Sequence, residues 1–342
     1  MAKAIDLGTC NIVVATQDDN QQIQIKTIRD SFLDLENDPS VKSMLTMSKM
    51  NYIESEDNLY ILGDASITMA NIFKRNPRRP LSKGVISAGE TEAEKILSLL
   101  INSILGKAKF PGEICFFSVP GIPVNPPADQ TPDIVYHQAV FSKILNSMNY
   151  KAIPLNEAAA IVYSNCAKEQ FSALAISFGA GQVNVALLYK TMIGMTFSIV
   201  GSGDSIDELS SKAVGITQSR MQSIKEKGVN LLDSNEGDPK NVREREALAI
   251  YYKSLILRVL DTIKNEFFKH KGIELPESIP MILSGGTALA IGFKELFESG
   301  FNTVKANFPI PISEVRMASS PLNSVAQGLL VAALNYNEGT KK

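Results

Sequence analysis

Asp6, Gly8, Thr9, Cys10 and Asn11 stand in one tight turn between two apolar runs, Ala4-Ile5 and Ile12-Val13-Val14. A glycine there permits close backbone approach, so N–H groups can cradle phosphate oxygens, with Thr9 and Asn11 adding side-chain partners. Asp6, at the mouth of the turn, could hold a hydrated magnesium ion against such a phosphate. A plain hairpin, with Asp and Gly serving turn geometry alone, is the alternative reading of the same residues.

The design returns 171 positions later, Ser177 standing against Asp6, in Leu174-Ala175-Ile176-Ser177-Phe178-Gly179-Ala180-Gly181-Gln182-Val183-Asn184-Val185. Two such turns suggest a duplicated domain gripping one anion between two glycine loops. The copies differ at the mouth, where Ser177 replaces the acid. A third glycine site, Gly285-Gly286-Thr287, ends the apolar run Met281-Ile282-Leu283 and is expected to open a helix, leaving backbone able to approach a flat ring or a phosphate.

The elements that must hold these residues are legible in outline. Gln21 to Lys26 alternates as a third strand, and the polar, proline-broken stretch from Ser31 to Gly84 reads as a small inserted subdomain. Ala93, Ile96, Leu97, Leu100, Ile101 and Ile104 recur at helical spacing, and Ile114 to Val119 reads as a buried strand delivering a loop. The segment from Pro120 to Pro132 carries five prolines and is expected to be a rigid surface loop, followed by a helix over 135–148. Pro154 to Val162 reads as a turn feeding a small-residue helix that crosses between lobes. Later come a helix over 205–214, a polar loop over 228–245, a long amphipathic helix over 247–269 and a frayed tail from Asn337.

At 342 residues the chain exceeds what one hydrophobic core usually serves, so two lobes are expected. A formal charge of -2 gives no electrostatic reason for nucleic acid as a main partner. Cys10, Cys115 and Cys166 are too widely spaced for the usual zinc patterns, no secretory signal precedes the first strand, and no apolar run approaches the roughly 20 residues of a spanning helix. The expectation is a cytoplasmic protein without a transmembrane segment, whose membrane contacts, if any, use surface side chains or an adaptor. His137 and His270 are assigned to surface or satisfied core positions, and the basic run Lys74, Arg75, Arg78 and Arg79 to a solvated loop, a contact with a neighbouring subunit being the alternative. Met44, Met47 and Met50 suit helical core packing, or a filament contact at a lobe tip.

In this order the motifs resemble the actin-like ATPase superfamily, which includes actin, DnaK-type chaperones and sugar kinases. Within it, Arg79-Pro80-Leu81-Ser82-Lys83-Gly84-Val85-Ile86 and Gly203-Asp204-Ser205-Ile206-Asp207 are similar to elements of the MreB and MamK type of bacterial actin homologue. The resemblance implies an α/β fold of two duplicated lobes, each a mixed sheet flanked by helices with an inserted small subdomain. Residues 1–156 would form the first lobe, with its insert at about 31–85, and 157–342 the second, with its insert at about 211–278.

It further implies ATP and magnesium in the interlobe cleft. Asp6 would position the metal, Gly8, Thr9, Cys10 and Asn11 would wrap the phosphates from one side, and Ser177, Gly179, Ala180, Gly181 and Gln182 from the other. Glu157, which by itself is a first-turn acid favoured by the helix dipole, takes through the resemblance the role of orienting the attacking water. Leu283-Ser284-Gly285-Gly286 with Gly292 is similar to the adenosine motif, in which Gly285, Gly286 and Thr287 would border the adenosine, and Asp204 and Lys225 would reach ribose or base. Asn323 to Leu329 is similar to the second connecting helix, after which the chain stops, unlike a DnaK-type chaperone.

The implied function is a bacterial or archaeal cytoskeletal protein that assembles head to tail. Hydrolysis is expected to be slow because Ser177 stands where the family carries an acid. The rival expectation is a nucleotide-sensing scaffold that does not polymerise and has little or no ATPase activity; a small-molecule kinase is the third, with no acidic residue in a sugar-binding loop to support it.

Overall fold

The computed structural model describes residues 2–18, 20–55, 57–126, 133–270 and 273–339. Strands β1 (Ala2–Leu7), β2 (Asn11–Gln17) and β3 (Ile23–Arg29) form an antiparallel meander, as the alternation near residue 21 predicts. The inserted segment then makes a three-stranded sheet from β4 (Phe32–Glu36), β5 (Ile53–Ser55) and β6 (Asn58–Leu62), packed with helices α1 (Pro39–Met47) and α2 (Asp64–Phe73) around Leu33, Leu35, Leu45, Leu59, Ile61 and Met69. Met44 and Met50 pack against this small core, but Met47 is 85% exposed, so the every-third spacing is not one buried stripe.

A two-stranded hairpin, β7 (Leu81–Ser82) and β8 (Val85–Ile86), leads to α3 (Ala93–Leu105), whose six periodic apolar residues are all buried. Next come β9 (Glu113–Val119), α4 (Ile134–Ser147), β10 (Tyr150–Asn156) and α5 (Glu157–Asn165). The expected turn at Pro154 is instead the end of β10, because residues 150–156 pair in register with β9 along its length. Of the proline-rich loop, residues 127–132 lie outside the described residues.

The second half repeats the plan. It holds β11 (Ala173–Phe178), β12 (Gln182–Tyr189), β13 (Met192–Val200), α6 (Gly203–Val214), α7 (Gln218–Glu226), α8 (Val242–Lys269), β14 (Ile279–Ser284), α9 (Phe293–Val304), β15 (Ile312–Met317) and α10 (Ser324–Gly339). One sheet runs β3-β2-β1-β9-β10 and the other β13-β12-β11-β14-β15, each with two antiparallel pairings followed by two parallel ones. The chain is thus a two-lobed mixed α/β protein.

Three expectations of local structure change. Helix α8 starts at Val242, shortening the polar loop, because buried Arg245 donates to the carbonyls of Ser234 and Asp238 and draws that loop onto the helix. Gly286 opens only a short 3-10 turn to Leu289, since Ala290 is extended and Gly292 restarts the helix in the left-handed region. Helix α10 continues past Asn337 to Gly339; residues 340–342 lie outside the described residues.

Between the sheets lies a core of small residues. Ala4, Ala15, Ala175 and Ala186 from the strands meet Ala158, Ala159 and Ala160 of α5 and Ala326 and Ala333 of α10. Close approach is obligatory: a Cβ on Gly328 would lie 1.7 Å from the Ala160 carbonyl oxygen. The small-residue run of α5 therefore brings α10 into backbone contact, and with it the two sheets that flank both helices. Larger side chains fill the outer cores. Phe178, at the end of β11, packs edge-on to Phe293 and Phe297 at 5.0 and 6.1 Å and anchors the strand that delivers the second glycine turn; truncating such a ring costs about 3–5 kcal/mol.

Candidate functional site: a cleft between two glycine hairpins

The two glycine turns close by the same bond. Gly8 N–H donates to the Asn11 carbonyl and Gly179 N–H to the Gln182 carbonyl, each at 3.1 Å. A Cβ on either glycine would meet that same carbonyl oxygen, at 2.8 and 3.0 Å, which is why glycine stands at both places. Both hairpins line one cavity of about 330 Å³, a size suited to a small organic ligand.

Its walls include Asp6, Gly8, Thr9, Cys10, Asn11, Glu157, Ser177, Gly179, Ala180, Gly181, Gln182, Asp204, Lys225, Gly285, Gly286 and Thr287, so all sixteen residues expected at the site reach it. Gly292 does not; it caps α9. Leu289, Pro321, Leu322 and Val325, which sequence reasoning missed, give the cavity an apolar wall beside the double glycine. Their apolar character could have marked them, but nothing local says that the two segments meet.

The charged centre is a pair of carboxyls. Asp6 is the last residue but one of β1; burial pushes its carboxyl up to about 6, against hydrogen bonds from the Ser118 hydroxyl and the Leu7 backbone. Glu157 is the first residue of α5, capped by Asn156, whose Oδ1 accepts from Ala159 N–H at 3.1 Å. Burial raises it to about 8, with the charge of Asp6 adding to the rise and the Ser177 hydrogen bond opposing it.

Both Glu157 oxygens are held. Ser177 Oγ donates to Oε1 at 2.7 Å and Asn184 Nδ2 to Oε2 at 2.8 Å, while Asn184 Oδ1 accepts from Gly121 N–H at 2.8 Å. The last bond fixes which end of the amide faces the acid. Ser177 and Asn184 are cross-strand partners, so one rung of the β11–β12 ladder carries the whole clamp.

Several expected ligands are already engaged. Thr9 Oγ1 accepts from Gly84 N–H at 3.1 Å, and Thr287 Oγ1 donates to the Gly179 carbonyl at 2.7 Å, so both hydroxyls brace the hairpins. Lys225 donates to the Gly203 carbonyl at 3.0 Å and pairs with buried Asp207 at 2.6 Å. Asp204 pairs with Arg79 at 3.2 Å.

That pair corrects the reading of the basic run as solvated. Arg79 crosses to the second lobe, while Arg78 lies over the Phe32 ring and bonds Asp34, Glu90 and Glu92. Arg29 and Glu226, both at the cavity wall and both missed, make a second crossing at 2.8 Å. His137 is also corrected: it is 1% exposed against Phe141, with neither ring nitrogen partnered, and burial lowers it to about 4. His270 fits its assignment, with Nδ1 2.9 Å from the Glu266 carbonyl.

The fold is actin-like. The structure aligns with the MamK double helical filament at a TM-score of 0.68, 15% identity and 99% coverage of both chains. It also aligns with ADP-bound MreB5 of Spiroplasma citri at 0.64, with 16% identity and coverage of 100% of this chain and 99% of that one. The ethanolamine utilization protein EutJ of Carboxydothermus hydrogenoformans aligns at 0.55, with 15% identity and coverage of 96% and 89%. The family model described as Volactin matches residues 1–333, and the chain belongs to that family. No curated protein matches the sequence.

Proposed function

We propose that this chain is a cytoskeletal, cytoplasmic actin-like protein that binds Mg–ATP between its lobes, which divide near Glu157, and assembles head to tail into filaments. The observation that carries the reading is the facing pair of glycine hairpins on one cavity that also holds Asp6 and Glu157. Similar structures support it: MamK is known as a double helical filament and, as a non-polymerising mutant, bound to AMPPNP, and MreB5 is known with ADP and with AMPPNP. A heterologous contact that does not close on itself generates such a filament.

The residues present fit magnesium. Two buried carboxyls, both raised by burial and Glu157 further by the charge of Asp6, favour a cation near them, and hard oxygen ligands suit Mg²⁺. Among the described residues no cluster of three metal-ligating side chains occurs, so Asp6 would hold the ion with water and phosphate oxygens completing its shell. Bound there, the ion would supply charge neutralisation for the phosphates. Glu157, fixed by Ser177 and Asn184, would orient a water; the apolar wall at Leu289 and Leu322 would take the base. No helix among the described residues is long and apolar enough to cross a membrane; a contact with a membrane or organelle would use surface side chains or an adaptor.

A second reading, a non-polymerising scaffold with little ATPase activity, draws support from the same clamp. Ser177 brings no carboxylate to the metal, and both Glu157 oxygens are occupied. Sedimentation and electron microscopy of the protein with and without Mg–ATP separate the two. Filaments that form with ATP support the first reading; a chain that stays monomeric at every concentration supports the second.

A further inference from the structure

We infer that Arg29 is the side-chain cation with which the cleft holds the polyphosphate of its nucleotide, and that Glu226 competes with the nucleotide for it. The inference rests on the nucleotide reading above and adds to it a residue outside both glycine turns. Among the described residues of the cavity wall, the charged side chains are Asp6, Glu157, Asp204 and Glu226 against Arg29 and Lys225. A polyphosphate entering among four carboxyls is favoured by a positive side chain, and these two are the ones within reach.

Lys225 is committed elsewhere. It pairs at 2.6 Å with Asp207, whose side chain is 2% exposed, and donates to the Gly203 carbonyl at 3.0 Å, so drawing it away would strand a buried carboxylate. Arg29 is held more lightly. It makes one hydrogen bond to the described residues, from Nη2 to Glu226 Oε1 at 2.8 Å, and that pair is part-exposed. A guanidinium carries five N–H donors in a planar fork that matches a phosphate, so most of its donors remain for a ligand. Glu226 keeps a partner when Arg29 leaves, because the same oxygen accepts from Gln222 Nε2 at 2.8 Å.

The sheet sets its place. Arg29 lies opposite Asn11 in the β2–β3 register, so the two side chains stand on one face beside the first glycine turn, and both line the cavity. Asp30 N–H donates to the Cys10 carbonyl at 2.9 Å and ties the end of β3 to that turn. Burial raises the Cys10 thiol and the charge of Arg29 opposes the rise, as it does only at short range. Arg79, which also crosses the lobes, does not line the cavity and is bonded to both oxygens of Asp204, at 3.3 and 3.2 Å. Nucleotide binding thus exchanges the Arg29–Glu226 crossing for a phosphate contact and leaves the Arg79–Asp204 crossing in place.

The test is equilibrium binding of AMPPNP in excess magnesium, and of adenosine, to the full chain. Wild type is compared with Arg29→Met, Glu226→Gln and the double variant, thermal melts showing that each is folded. Arg29→Met should weaken AMPPNP about tenfold or more, the scale of a charge-assisted contact to phosphate, and leave adenosine within about twofold. Glu226→Gln should tighten AMPPNP about threefold by ending the competition, and the double variant should bind like Arg29→Met, since Glu226 acts only through Arg29. A Glu226→Gln variant that binds AMPPNP no better than wild type overturns the inference while leaving the nucleotide reading intact. So does an Arg29→Met variant that stays within threefold of wild type for AMPPNP, or that loses AMPPNP and adenosine alike, as a mere brace between lobes would. A wild type that does not bind AMPPNP overturns both.

Discussion

The two glycine hairpins share a backbone and differ in one rung of side chains. In the first, the cross-strand pair at the mouth is Asp6 and Val13; in the second, at equivalent positions, it is Ser177 and Asn184. One rung presents an acid to the cleft beside an apolar partner. The other presents two neutral donors, both aimed at Glu157. Both hairpins keep the close backbone approach that a phosphate would need, and in the proposed reading the first would hold the cation while the second holds Glu157. A serine rather than a carboxylate at 177 spares further repulsion at a site where the charge of Asp6 already raises Glu157.

The largest effect expected from breaking this asymmetry is at Asp6. Asp6→Asn should weaken Mg–nucleotide binding by roughly a hundredfold, the loss of a charge-assisted contact, whereas Ser177→Ala should change it by less than about threefold; titration calorimetry compares them. Equal losses would mean that the hairpins are not divided in this way. Next comes Ser177→Asp, which sets a third carboxyl against Glu157. Unfolding of the nucleotide-free variant should show a loss of about 2–3 kcal/mol, from a lost hydrogen bond and added repulsion, and magnesium should restore part of it.

A pH series sharpens the same point. Glu157 is raised above its unfolded value, so the folded state holds the extra proton and stability should fall as pH rises through the window from about 4.5 to about 8. Glu157→Gln should flatten that slope in thermal melts of the nucleotide-free protein. His137, lowered to about 4, acts oppositely: stability should be lost as pH drops from about 6.5 to 4, by up to about 3 kcal/mol, and His137→Phe should remove the loss. The smallest effect is at the lobe crossings. Arg79→Ala or Arg29→Ala should each cost about 1 kcal/mol or less, and less still in high salt, since both pairs are part-exposed.

How much of this could be read in the sequence follows from how local each cause is. Both hairpins, the apolar stripe of α3 and the buried β9 have their reasons within a few residues, in glycine spacing and periodicity, and all appear where they were expected. The site residues converge on one cavity because the repeat itself fixes their order. What was hidden depends on distant partners. Arg79 looks solvated until Asp204, 125 positions away, comes opposite it, and His137 carries no mark of an unpartnered core position. Asn184 reads as a polar residue in a strand, and only its register opposite Ser177 makes it half of the clamp on Glu157. Gly84 reads as a turn glycine; its contact with Gln182 joins segments almost 100 residues apart.

The central claim is that two unequal hairpins hold one magnesium nucleotide together, and titration calorimetry of AMPPNP against the full chain tests it most directly. The account predicts one site per chain that requires magnesium and is lost in Asp6→Asn. Binding that ignores both magnesium and Asp6, or no binding at millimolar nucleotide, would contradict it.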